Sequence, residues 1–174
     1  MAQSGIQPDP SCFRAFQLIK TGFPVSAADT FKHFETDLAT DEATQQQFAK
    51  DLAELDTKST KKFIKFVMFK LSNAGDKIIV SYISKSEDYE DFVKRLPEDE
   101  CRWAVYDMTF DTKDGQRSKL VFFSWTPDKA KVKNKMMYAS SKQALKSIFT
   151  GIHNDIQATD FDDVQLDAVV DKIK

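Results

Sequence analysis

The apolar positions change period several times along the chain, and each change predicts an element. Residues Met1 to Pro10 have no apolar period and read as a mobile arm, after which Asp9, Pro10 and Ser11 offer a helix start. Phe13, Phe16 and Leu18 to Lys20 then suggest one short amphipathic helix ending near Gly22. Between Ala27 and Asp56, Phe31, Phe34, Leu38, Phe48, Leu52 and Leu55 recur at helical spacing, predicting two helices broken near Thr40 and Asp41. From Phe63 the signal turns to strand. Phe63 to Leu71 and Lys77 to Ile83 flank the turn Asn73 to Asp76, and Arg102 to Asp111 and Ser118 to Trp125 flank the turn Lys113 to Gln116, giving two hairpins. Between them Glu87 to Leu96 has helical spacing and stops before Pro97. A long helix is expected from Thr126, Pro127 and Asp128 to about Phe149, then a short strand at Asn154 to Thr159 and a last helix at Asp162 to Lys174. Interleaved strands and helices predict one α/β (α+β) domain, a central mixed sheet sandwiched by helices.

The long helix carries apolar residues on two faces. Met137, Tyr138, Ser141, Ala144, Leu145 and Ile148 share the side assigned to the core, whereas Val132, Met136 and Ala139 lie nearly opposite, ringed by Lys131, Lys133, Lys135, Lys142 and Lys146. Two readings fit. The helix is buried on both sides with its lysines reaching outward, or the second stripe is an interaction surface for an acidic partner, with Met filling that partner's cleft.

Composition removes several classes of function. The chain has 174 residues, 41% hydrophobic, and its longest uninterrupted apolar runs, Phe66 to Phe69 among them, are far short of a bilayer span, so neither a membrane-spanning nor a secreted protein is expected. Cys12 and Cys101 lie far apart, which suits free thiols in a reducing compartment. A net charge of -2 gives no pull toward nucleic acid. The charge is uneven, because Gly22 to Lys58 carries eight acids against three lysines. There is no GxxxxGK loop, HExxH or CxxC, and His33 and His153 are far apart, so neither a metal site nor a phosphotransfer enzyme is supported.

Three segments, Arg102-Trp-Ala-Val-Tyr-Asp, Arg117-Ser-Lys-Leu-Val-Phe-Phe-Ser-Trp-Thr-Pro-Asp and Lys133-Asn-Lys-Met-Met-Tyr-Ala-Ser-Ser-Lys142, closely resemble the actin-depolymerising factor/cofilin family in order and spacing. The resemblance is weak over Ser4 to about Lys20 and strong over about Ser59 to Lys174. It implies a single ADF-homology domain over residues 1–174. It also implies a non-enzymatic function without cofactor: binding actin monomers and filaments, with preference for the ADP form, and severing and depolymerising filaments. The alternatives of the same fold are a monomer-sequestering protein and a phosphoinositide-binding adaptor.

By the same resemblance, Val132, Lys133, Lys135 and Met136 enter the cleft between two actin subdomains, and Ser4, Gly5 and Ile6 make a second contact to that subunit. Arg117, Lys119, Asp171 and Lys172 correspond to the filament-only site. Ser4 falls where phosphorylation inactivates many members by setting negative charge against the contact. Lys133, Lys135 and Lys142 are candidates for phosphoinositide headgroups. The family places such a chain, as a monomer, in the cytoplasm and cytoskeleton, at actin patches and the cell cortex, and in the nuclear matrix. The departure is residues 22–58, because the family runs almost directly from first helix to first strand; their regular amphipathic spacing reads as a helical acidic insertion.

Overall fold

The computed structural model describes residues 5–8, 10–21, 64–72, 75–84, 87–152 and 154–173. The predicted insertion, Ser4, both histidines and Lys174 lie outside the described residues.

The elements are β1 (Gln7–Pro8), α1 (Pro10–Thr21), β2 (Phe66–Leu71), β3 (Lys77–Ser84), α2 (Tyr89–Arg95), β4 (Arg102–Thr112), β5 (Gly115–Trp125), α3 (Val132–Lys146), β6 (Asn154–Ala158) and α4 (Leu166–Ile173). They build a six-stranded mixed sheet in the order β1-β3-β2-β4-β5-β6. The inner pairs are antiparallel, and the outer pairs β1/β3 and β5/β6 are parallel.

Strand alternation divides the core between the two faces of the sheet. Val67, Phe69, Trp103, Val105 and Phe122 join α1 and α3 on one face, whereas Phe66, Met68, Ala104, Tyr106 and Phe123 join α2 and α4 on the other. The sandwich expected from the pattern is therefore what the chain forms. A bulge between Met68 and Phe69 shifts the register from Tyr82 to Val80 on β3. That extra residue reverses parity along β3, so Ile78, Val80 and Ile83 serve one core while Tyr82 packs on the other.

Several boundaries differ from the sequence reading. Gln7 and Pro8 are docked, not mobile, because they pair in parallel with Lys77 and Ile78, and Ile6 is buried beside them. α3 begins at Val132 rather than near Thr126. The Thr126 and Asp128 amides donate to the carbonyls of Ala158 and Thr159, which prolongs the β5/β6 ladder through the stretch that resembles a helix start. Likewise α4 begins at Leu166 rather than Asp162, because the Asp163 carboxylate accepts from the Thr159 amide at 3.0 Å and holds the preceding residues in turns. On α1, Phe16 is fully buried but Phe13 is 47% exposed, so the two phenylalanines do not share a face.

Candidate docking surface

α3 reaches the sheet through the predicted face. Tyr138, Ser141 and Leu145 are buried, and Met137, Ala144 and Ile148 are partly so. The Tyr138 ring lies 4.3 Å from the Trp103 ring, and its hydroxyl accepts from the Leu71 amide at 3.0 Å. Burial pushes that phenol's pKa up, with the Leu71 and Arg102 hydrogen bonds pulling it back. These contacts fix the helix's rotation about its axis, which decides what the opposite face presents.

That face is open. Val132 is 71% and Met136 67% exposed, Ala139 is exposed beside them, and burial of the helix on both sides is thereby overturned. The lysines around the stripe divide into two groups. Lys131 and Lys133 are exposed, and Lys135 donates to the Asp128 carbonyl at 3.2 Å. Lys142 and Lys146 instead converge on one carboxylate, Asp155 on β6, at 3.0 and 2.9 Å. Burial raises the Asp155 pKa, but the hydrogen bonds and charges of Lys146 and Lys142 outweigh it and hold the carboxyl below its ordinary value. Lys142 is therefore tied to the sheet, away from the rim that the sequence assigned to it.

The start of α3 is electrostatically unfavourable. Its N-cap, Lys131, makes no side-chain cap and the first turn holds no acid, while Lys131, Lys133 and Lys135 crowd the partly positive helix end. A cavity of about 500 Å³ opens beside this turn, and Lys70 and Arg102 add two more cations to its lining. Sequence reading gave neither residue to the site, because they belong to strands far away along the chain. Arg102 is matched by Glu100 at 2.8 Å. Cys101 lines the same cavity and is buried, and burial pushes its thiol pKa up against the opposing charges of Lys135 and Arg102, which is the inert behaviour expected of a structural cysteine.

The arm lies against the same helix. Gly5, Ile6 and Gln7 line a cleft with Ser140, Gln143, Ala144 and Ser147, and Gln143 is two turns along the face that carries Met136. Gly5 is exposed with φ +73°, a left-handed conformation that glycine adopts without strain. Ile6 is only 9% exposed and belongs to the core, so its side chain anchors the arm instead of offering surface. The two predicted contact regions, far apart in sequence, therefore flank one helix.

Of the four residues assigned to a second site, Arg117 and Lys119 lie on β5 and Asp171 and Lys172 on α4, two elements that the structure links through Lys119. β4 and β5 continue together beyond the residues paired with β2 and β6, so their hairpin end projects from the sheet. Arg117 is exposed there with Asp114 at 3.7 Å, and Asp171 and Lys172 are exposed on α4. Lys119 differs. Its ammonium donates to the Ile173 carbonyl at 2.7 Å and lies 5.8 Å from the Phe110 ring.

A helix-sandwiched mixed sheet that displays a lysine-flanked apolar ridge defines a protein-docking module. Among the described residues no His, Cys, Asp and Glu cluster could hold a metal, and no helix is long and apolar enough to cross a membrane. Comparison with known proteins gives the class a family. The family model described as cofilin/tropomyosin-type actin-binding protein matches residues 39–174. Cofilin of Schizosaccharomyces pombe is 34% identical over 173 residues, covering 99% of this chain and 98% of that protein. Cofilin of Mycosarcoma maydis is 46% identical over 113 residues, covering 64% and 81%. The crystal structure of Streptomyces griseoflavus cofilin superposes with a TM-score of 0.61 at 41% identity, over 78% of this chain and 96% of that one. The chain belongs to the cofilin/tropomyosin-type actin-binding family, and its fold is the actin-depolymerising factor homology fold.

Proposed function

We propose that the protein binds actin through the outward face of α3 and the adjoining arm, takes up both monomers and filaments with preference for the ADP form, and severs and depolymerises filaments. The observation that carries this reading is the exposure of Val132 and Met136 at 71% and 67% on a helix whose other face buries Tyr138, Ser141 and Leu145 against the sheet. Burying such side chains in a partner's cleft contributes about 1.5 to 3 kcal/mol each. The uncapped cationic first turn supports an acidic partner, because anionic groups brought to Lys131, Lys133 and Lys135 relieve the repulsion at the helix end. Binding of this kind makes and breaks no covalent bond. The family places the action in the cytoplasm, at the cytoskeleton.

The finer parts of the proposal are that Arg117, Lys119, Asp171 and Lys172 serve filaments only, that phosphorylation of Ser4 weakens docking, and that Lys133 and Lys135 meet phosphoinositide headgroups in competition with actin. Lys142, held by Asp155, contributes less to such lipid binding than its sequence position suggests. Residues 22–58 are proposed as an acidic helical insertion that tunes access to the arm. Localisation to actin patches, the cortex and the nuclear matrix, and a monomeric state, belong to the same proposal.

The central test is Met136→Asp, assayed by monomer binding, filament co-sedimentation and severing under a microscope. Met136 is surface-exposed, so its thermal unfolding should match the wild type, whereas monomer affinity should fall by at least about tenfold from lost burial plus an unpaired charge. Undiminished actin binding would discard the α3 face as the docking surface. Monomer binding without severing by the wild-type chain would favour the sequestering alternative. Lys133→Glu with Lys135→Glu, if it abolished vesicle binding while leaving actin binding intact, would favour the lipid adaptor.

A further inference from the structure

Lys119 has the sequence position of a docking cation, but its charge is used inside the molecule. The last four carbonyls of any helix lack intrahelical partners, and a cation at that end is favoured by the helix dipole. α4 is only eight residues long, and its terminal Ile173 carbonyl receives the Lys119 ammonium from β5, a contact spanning 54 positions in sequence. The hairpin and α4 also share one apolar cluster. Val169 and Ile173 are buried in one cluster with Met108 and Phe110 of the hairpin's other strand, and the Lys119 ammonium rests near the Phe110 ring. The Lys119 hydrogen bond thus closes the polar end of a hairpin-to-helix joint whose apolar part is already dry. Around that joint Arg117 projects from the hairpin, and Asp171 and Lys172 from the last turn of α4.

We propose that Lys119 is a positioning residue: it caps α4 and locks it to the projecting β4–β5 hairpin, so that Arg117, Asp171 and Lys172 face a filament as one rigid surface, and it is not itself the cation that meets the filament. This rests on the filament-binding part of the proposed function. A preorganised pair of elements loses less conformational freedom on docking than a hairpin and a frayed helix that must be ordered together.

The test compares Lys119→Met, Lys119→Arg and Arg117→Gln in the full chain by amide hydrogen exchange across Val170 to Ile173, filament co-sedimentation and monomer binding. Lys119→Met should speed exchange in that last turn and weaken filament binding, each by about fivefold, the fold-change equivalent to one cation at a helix C-terminus. Its monomer binding should match the wild type, which a general loss of folding would not allow. Lys119→Arg, which keeps a donor on a long stem, should restore both readouts, and Arg117→Gln should weaken filament binding with exchange in α4 unchanged. The proposal is overturned if Lys119→Met weakens filament binding while α4 exchange stays at the wild-type rate, because Lys119 is then a direct contact. It is equally overturned if exchange rises with filament binding intact, or if Lys119→Arg rescues neither. Absence of filament binding by the wild type would instead refute the filament part of the proposed function, and this role of Lys119 with it; the exchange data alone would still report whether the cap forms.

Discussion

Met136 and Tyr138 stand two positions apart on α3 and show how one turn of helix assigns opposite tasks. Met136 is 67% exposed and Tyr138 7%, so under the proposed function a change at the first should alter recognition, whereas a change at the second should alter stability. Tyr138→Phe keeps the ring against Trp103 but removes the hydroxyl that accepts from the Leu71 amide, leaving a backbone donor without its partner. That should cost about 1 to 3 kcal/mol in a denaturant titration. Actin affinity of the folded fraction should stay close to wild type, since Met136 still points outward. A stability unchanged by the substitution would mean that water satisfies the Leu71 amide.

At the scale of the element, α3 is held from three directions: by Trp103 beneath Tyr138, by the arm along its side, and by Asp155 of β6 beneath Lys142 and Lys146. The Asp155 pKa lies below its ordinary value of 3.8 in the folded protein. A carboxyl depressed on folding contributes stability that is fully present above its unfolded pKa and is lost as pH falls through the folded one. Asp155→Asn should therefore be less stable than wild type at neutral pH, with the gap narrowing as the pH drops below 3.8 and closing under stronger acid. Unfolding midpoints across a pH series check this; a gap independent of pH would show that the two lysines do not stabilise the charged carboxylate. The same substitution releases Lys142 and Lys146 from β6 without touching the ridge of Val132 and Met136.

At the scale of the whole molecule, charge is arranged against the average. The net charge is -2, yet residues 22–58 hold eight of the acids and only three lysines, leaving the rest of the chain basic. Joining Thr21 to Ser59 should give a chain that still unfolds cooperatively. It should also associate with actin monomers several-fold faster at low salt, because an excess of negative charge has been removed from a protein whose proposed docking helix is cationic. Monomer binding and severing rates unaltered by the deletion would discard a tuning role for the segment.

Much of this was written into the chain locally. The two-striped spacing of residues 132–148 placed Val132 and Met136 opposite Tyr138, Ser141 and Leu145, because helical periodicity alone decides which side chains share a face. The strands, the hairpins and the interleaved order likewise follow from local alternation and turn chemistry. Decisions that belong to partners distant in sequence could not be read that way. Thr126 to Asp128 resembles a helix start, but the carbonyls of Ala158 and Thr159 claim the Thr126 and Asp128 amides; Ile6 resembles arm surface, but the core buries it. Lys119, Lys142 and Lys146 resemble free cations, and only the packing of β5 against α4 and of α3 against β6 supplies the carbonyl and the carboxylate that engage them. A charge's partner is fixed by proximity in space, and proximity across dozens of residues exists only once the sheet has formed.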